Sequence, residues 1–120
     1  MPPTTSIVEL LEAGLRAESL RQKAIANNMA NLGTAGYRRL DVKFEQLLAK
    51  ALASKGKVDL KKLEPVVYQP GETPVKPNGN DVSLETEVGQ LVKNALRQKT
   101  YLRLLKKKYT QVEMAIRTNQ

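Results

Sequence analysis

Residues 83–118, SLETEVGQLVKNALRQKTYLRLLKKKYTQVEMAIRT, decide the fold. Leu84, Val88, Leu91, Ala95, Gln98, Leu102, Leu105, Tyr109, Val112 and Ile116 recur in alternating steps of four and three. That period traces one stripe along a helix. Gln98 is its one polar member, and the one Gly in the stretch, Gly89, lies off the stripe. Ser83 is a good N-cap, and Glu85 and Glu87 fall in the first turn, where the helix dipole favours carboxylates. The spacing predicts an uninterrupted helix of roughly 54 Å, at about 1.5 Å per residue. Such a length suits a coiled coil or helix bundle.

A second helix is expected at the other end. It starts near Thr4–Ser6, with Thr5 or Ser6 as N-cap and Glu9 and Glu12 near the positive helix end. Its stripe holds Val8, Leu11, Leu15, Ile25, Met29 and Leu32, with Glu18 and Gln22 filling the middle, and Gly33 is the natural stop. Two long amphipathic ends imply a mainly α fold in which the N- and C-terminal helices pack as an antiparallel coiled coil. In that pairing Glu18 and Gln22 approach Gln98, and an amide facing a carboxylate fixes register at some cost in stability. The alternative is that the polar middle of each stripe faces solvent.

Between the helices the pattern changes. Residues 41–53 read as a short amphipathic helix on Val42, Leu47, Leu48, Ala51 and Leu52. Residues 54–82 carry Gly56, Pro65, Pro70–Gly71, Pro74 and Pro77–Asn78–Gly79, which predicts an extended loop with a short strand at Val66–Tyr68. A loop of that length is either mobile or ordered by a neighbour. The whole is one domain over 1–120, divided into a helix at 5–33, a turn, short helix and loop at 34–82, and a helix at 83–118.

The chain has no Cys and no His, which removes thiolate nucleophiles, imidazole bases and the metal sites built from them. Glu85 and Glu87 do not face each other on a helix, and Glu9 and Glu12 are explained by the helix dipole. Gly33–Thr34–Ala35–Gly36 lacks the Lys-Ser/Thr of a phosphate loop. No catalytic, cofactor-binding or metal-ligating residue is expected, and the chain reads as no enzyme. Aromatics are 4%, so the core must come from Leu, Val, Ile, Ala and Met. The opening MPPTTSIVELLEAG has no basic leader, so export would not use a cleaved signal peptide. No stretch is apolar enough for membrane insertion.

Net charge is +8. The run Lys106–Lys107–Lys108, with Arg97, Lys99 and Arg103, raises nucleic acid as a partner. Leu102, Leu105 and Tyr109 between those charges favour a solvated flank around a buried stripe, and base-stacking aromatics are lacking. A basic helical nucleic-acid-binding protein remains the alternative reading; nucleic acid is not the expected partner.

Residues 26–39, ANNMANLGTAGYRR, are the most specific segment. Asn27, Asn28 and Asn31 are poor helix formers, each about 0.6 kcal/mol worse than Ala. They read either as a fraying helix end or as amides that bond across a subunit boundary. This segment resembles the signature of the bacterial flagellar basal-body rod and hook family: Ala26–Asn27–Asn28–Met29–Ala30–Asn31, then Thr34, Gly36, Tyr37 and Arg38. The family usually has Pro where this chain has Ala35. Asp41–Val42–Lys43–Phe44–Glu45 with Leu47, and Gly79–Asn80–Asp81–Val82–Ser83–Leu84 running to Glu87 and Asn94, look like its short proximal rod members. The resemblance implies a structural subunit of the proximal rod, the drive shaft in the periplasmic space, exported by the flagellar type III apparatus. It implies other copies, other rod subunits, the basal-body base and the export apparatus as partners. The expected assembly interface comprises Leu11, Leu15, Ile25 and Met29 on the first helix, and Asn27, Asn28, Asn31, Gly36 and Tyr37 around the turn. On the last helix it comprises Leu91, Leu102, Leu105, Tyr109, Val112 and Ile116.

Overall fold

The computed structural model describes residues 4–54 and 59–118, without the side chains of residues 4–6. Helix α1 spans Thr4–Ala30, strand β1 Asp41–Lys43, helix α2 Glu45–Ala53, strand β2 Val66–Tyr68 and helix α3 Leu84–Thr118, with one 3-10 turn at Leu60–Lys62. The fold is mainly α, and the two long terminal helices pack antiparallel. The molecule is correspondingly elongated, 67 × 30 × 16 Å.

α1 opens at Thr4, so Thr5 and Ser6, expected as N-caps, are already helical. It closes at Ala30, three residues before the expected stop at Gly33. Asn31 N–H still reaches Asn27 O at 3.1 Å, but Leu32 and Thr34 N–H bond three residues back, to Met29 and Asn31. The helix thus tightens into 3-10 geometry before the turn.

The middle segment departs from the sequence reading. Asp41–Lys43, expected as helix, form β1 and pair antiparallel with β2 through Asp41↔Tyr68, Val42↔Val67 and Lys43↔Val66. Val42 is buried between more exposed neighbours, the alternation a strand requires. Its partner lies 25 positions away, which local periodicity does not register. The short strand expected at Val66–Tyr68 is present. The loop expected to be either mobile or ordered by a neighbour is held at several points by its own chain. Leu60 is buried, its carbonyl accepts from Arg16 Nη2 at 3.2 Å, and Asn80, Asp81 and Val82 are buried too. Gly56 lies outside the described residues.

The apolar core is small. Phe44 packs on Ala13 and Ala17 of α1, with Leu48 and Leu63 alongside. The two alanines let the ring approach the helix backbone. On the adjacent face Gly14 does the same for Tyr101 of α3: a Cβ built at Gly14 would lie 2.5 Å from the ring. Among the described residues no helix is long and apolar enough to cross a membrane.

Candidate functional site

The joint between α1 and α3 is polar. Asn28 is fully buried at the last turn of α1. Its Nδ2 donates to Leu40 O at 2.8 Å and Glu87 Oε2 at 3.1 Å. Its Oδ1 accepts from Tyr37 OH at 2.9 Å and Leu40 N at 2.8 Å. Both donors and both lone pairs of the amide are therefore used within the chain. Arg39 Nε completes Glu87 through Oε1 at 2.8 Å, and Arg39 N–H donates to Asp81 Oδ1 at 2.6 Å. Burial works against the Arg39 charge, but the hydrogen bond and field of Glu87 outweigh it and raise its pKa.

The turn after α1 is fixed by Asn80. Its Nδ2 donates to Asn31 O at 2.9 Å and Thr34 O at 2.8 Å, while its Oδ1 accepts from Val82 N. Gly36 (φ 74°) and Gly79 (φ 86°) lie against each other, and a Cβ on Gly79 would stand 3.2 Å from Gly36 Cα. Both positions therefore need glycine, for conformation and at Gly79 also for space.

A second polar clamp lies further along the seam. The fully buried Glu18 carboxylate accepts from Arg21 Nη1 at 2.9 Å and from Arg97 Nε. Its carbonyl accepts from Asn94 Nδ2 at 2.7 Å. Gln98 Nε2 donates to Gln22 Oε1 at 3.1 Å, so the polar middles of the two stripes do meet. Arg21 also pairs with Glu45, outside the seam. Burial opposes the Arg21 charge, but its bonds to Glu45 and Glu18 prevail and raise its pKa, while the bond from Arg21 lowers that of Glu45.

These contacts place α1 on one shoulder of α3. Glu87, Asn94 and Tyr101, seven residues apart, meet Asn28, Glu18 and Gly14 of α1. One position further on, Val88, Ala95 and Leu102 form the apolar stripe, and it is uncovered. Among the described residues α3 fully buries only Glu87 and Asn94. Leu102, Tyr109 and Ile116 are 55%, 52% and 58% exposed, and Leu84, Val88, Leu91 and Val112 are exposed as well. Leu105 and Gln98 are half-buried at the boundary.

The residues expected at an assembly interface thus fall into three sets. Leu11 and Ile25 are buried, and Leu15 and Met29 half-buried, on α1. Asn28 reaches α3 through Glu87. Asn27 Nδ2 donates to Tyr37 OH at 2.7 Å and Asn31 Nδ2 to Asn27 O at 2.8 Å, so these two amides serve the turn. Gly36 adopts the left-handed conformation expected of it. Leu91, Leu102, Tyr109, Val112 and Ile116 form the open stripe.

Sequence reasoning placed none of Glu87, Asn94, Arg39, Arg21, Arg97, Gly14 or Tyr101 in the seam: Glu87 reads there as dipole compensation, Arg97 as part of a basic flank, and Glu87 and Asn94 otherwise only within the family resemblance. The seven-residue recurrence of Glu87, Asn94 and Tyr101 beside the stripe is the signal in the sequence, and the period of the stripe itself does not register it.

The fold and its joint define a helical hairpin protein with a polar seam and an uncovered heptad stripe. The flagella basal body rod protein family pattern matches residues 10–38, from the α1 seam face through the Asn-rich turn. The chain is 24% identical over 118 residues to flagellar basal body rod protein FlgB of Bacillus subtilis, covering 91% of this chain and 92% of that protein. It is 31% identical over 96 residues to FlgB of Borreliella burgdorferi, covering 65% of this chain and 71% of that protein. The chain belongs to the flagellar basal body rod protein family and is close to FlgB.

Proposed function

We propose that this chain is a structural, non-enzymatic subunit of the proximal flagellar rod. It acts as one domain over residues 1–120 and assembles helically into the shaft that transmits motor torque across the periplasmic space. The observation that carries this reading is the uncovered stripe of α3, from Leu84 to Ile116, beside a seam that is already satisfied. Apolar surface at heptad spacing is removed from water by a neighbouring helix, which seats knobs into holes. Contacts of this kind, repeated between successive rod subunits without closing a ring, generate a helical filament. Family membership supports other rod subunits and further copies as neighbours. The basal-body base and the export apparatus complete the proposed partners.

Leu102→Asp tests the proposal. Leu102 is exposed in the monomer, so the purified variant should keep its helical signal and melting behaviour. In cells the variant should lose motility, because a carboxylate on a buried assembly seam costs several kcal/mol. Lys107→Glu lies off the stripe and should be milder. Normal motility of Leu102→Asp would remove the stripe from the assembly.

A further inference from the structure

We propose that the C-terminal half of the open stripe receives an acidic amphipathic helix of another protein, not a second copy of this chain. The inference rests on the reading above of the stripe as an assembly surface, and adds the identity of its occupant. From Lys93 to Thr118 the helix carries eight basic residues and one acidic residue, Glu113, a net charge of +7. Two of the cations are engaged, Arg97 with Glu18 and Arg117 with Glu113. Among the described residues Lys99, Arg103, Lys106 and Lys107 are exposed and pair with no carboxylate.

Three of them, Lys99, Arg103 and Lys106, lie to one side of the stripe, and Lys107 lies on the face away from it. α1 closes the shoulder that carries Glu87, Asn94 and Tyr101. Lys99 and Lys106, seven residues apart and one position after Gln98 and Leu105, line the opposite shoulder, with Arg103 behind them. In paired helices the charges flanking the apolar stripe select the partner. A second copy would bring the same +7 segment, and like charges along a seam oppose association. The chain has no net acidic helix to offer in exchange: α1 carries three acidic and three basic residues. Its carboxylates are also taken, Glu9 by Lys61 at 3.7 Å, Glu12 by Tyr109 OH at 3.2 Å and Glu18 within the seam. The heptad spacing and the lack of Trp fit a helix better than a lipid surface. The N-terminal part of the stripe, Leu84 to Leu91, carries Glu85 and Glu87 and no basic residue, and is left to other neighbours.

The test uses the purified full chain and labelled four-heptad peptides read by fluorescence anisotropy. One peptide has Leu in its stripe and Glu on both flanks; a second has Lys on the flanks; a third keeps Glu but has Ser in the stripe. The Leu/Glu peptide should bind, and its affinity should fall at least about tenfold between 50 and 500 mM salt, as screening shortens the reach of the charges. The combined variant Lys99→Glu, Arg103→Glu, Lys106→Glu should lose that peptide and gain the Leu/Lys one, a gain that a misfolded surface would not show. Equal binding of the Leu/Glu and Leu/Lys peptides, or retention of the Ser/Glu peptide, would overturn the proposal. So would capture by phosphatidylglycerol vesicles without peptide binding, or self-association in sedimentation that the triple variant abolishes. Leu102→Asp separates the two readings: lost motility with unselective peptide binding removes only the acidic partner, and normal motility removes the assembly surface itself.

Discussion

Asn28 Nδ2 donates to Glu87 Oε2 at 3.1 Å, tying the last turn of α1 to the first turn of α3 across 59 residues of sequence. Glu87 in turn neutralises the buried Arg39. Desolvation offsets much of the attraction in a buried pair, so its net contribution to stability is small, whereas removing one partner leaves an uncompensated charge.

Glu87→Ala should therefore destabilise the chain by about 3 kcal/mol, since Arg39 Nε and Asn28 Nδ2 lose the buried carboxylate they donate to and Arg39 keeps only the part-exposed Asp41, at 3.3 Å. Urea titration followed by circular dichroism measures this. Arg39→Met with Glu87→Leu should recover most of the loss. A Glu87→Ala cost below 1 kcal/mol would mean that water reaches the site and the joint is not sealed.

Asn28→Ala separates propensity from tertiary structure. In a peptide of residues 4–33 it should raise helicity, because Ala is the better helix former by about 0.6 kcal/mol. In the full chain it should destabilise by about 1–3 kcal/mol, since the backbone of Leu40 and the carboxylate of Glu87 lose their partner. Asn27→Ala, at an exposed position, should cost less. Equal costs at the two positions would contradict the buried geometry.

Gly14→Ala should also gain helix propensity, by about 1 kcal/mol, yet lower the melting temperature. The added methyl collides with the Tyr101 ring, and the ring must leave its seat on α1. The loss should vanish in a Tyr101→Ala background, a coupling that a double-mutant cycle reads directly. Independent effects would show that the two residues do not touch.

Gly79→Ala should be worse than Gly71→Ala. Both glycines have positive φ, 86° and 67°, which costs a side-chain-bearing residue about 1–3 kcal/mol. Only at Gly79 does the added Cβ crowd Gly36; open space surrounds Gly71. Thermal melts of the two variants give the comparison.

Glu45 supplies a pH dependence. The hydrogen bond from Arg21 holds its carboxyl below the usual 4.5. The pair's contribution is therefore full above that value and disappears as pH falls through the lower folded-state value. Wild type and Glu45→Gln should differ in melting temperature at neutral pH and converge in acid. The difference is small, because Glu45 is largely exposed to solvent.

Much of the architecture was legible in the sequence because it is local. The α3 stripe, Ser83 ahead of it and the glycine turn at Gly36 are each set within a few residues by periodicity, capping and backbone freedom. The strand at Val66–Tyr68 was legible, but its pairing with Asp41–Lys43 was not, since three residues inside an apparent amphipathic helix do not announce a strand and the two segments stabilise each other only when folded. The anchoring of Leu60 and Asn80 escaped for the same reason, because their partners lie on α1 and in the turn after it.

The sequence alone determined that α3 would be a helix with one apolar stripe, that a second long helix with a polar middle to its stripe would stand at the other end, and that this helix would end at the Asn-rich turn. These follow from nearest-neighbour sterics and from the repeat of apolar positions. Only the tertiary structure decided which face of α3 meets α1. Apolar periodicity says which residues avoid water, but not whether the same chain or another removes them from it. Glu87, Asn94 and Tyr101 settle that question, because a buried carboxylate and amide accept only directional partners, and Asn28, Arg39 and the backbone of Glu18 are where the chain supplies them. The stripe from Leu84 to Ile116 is left open as a result.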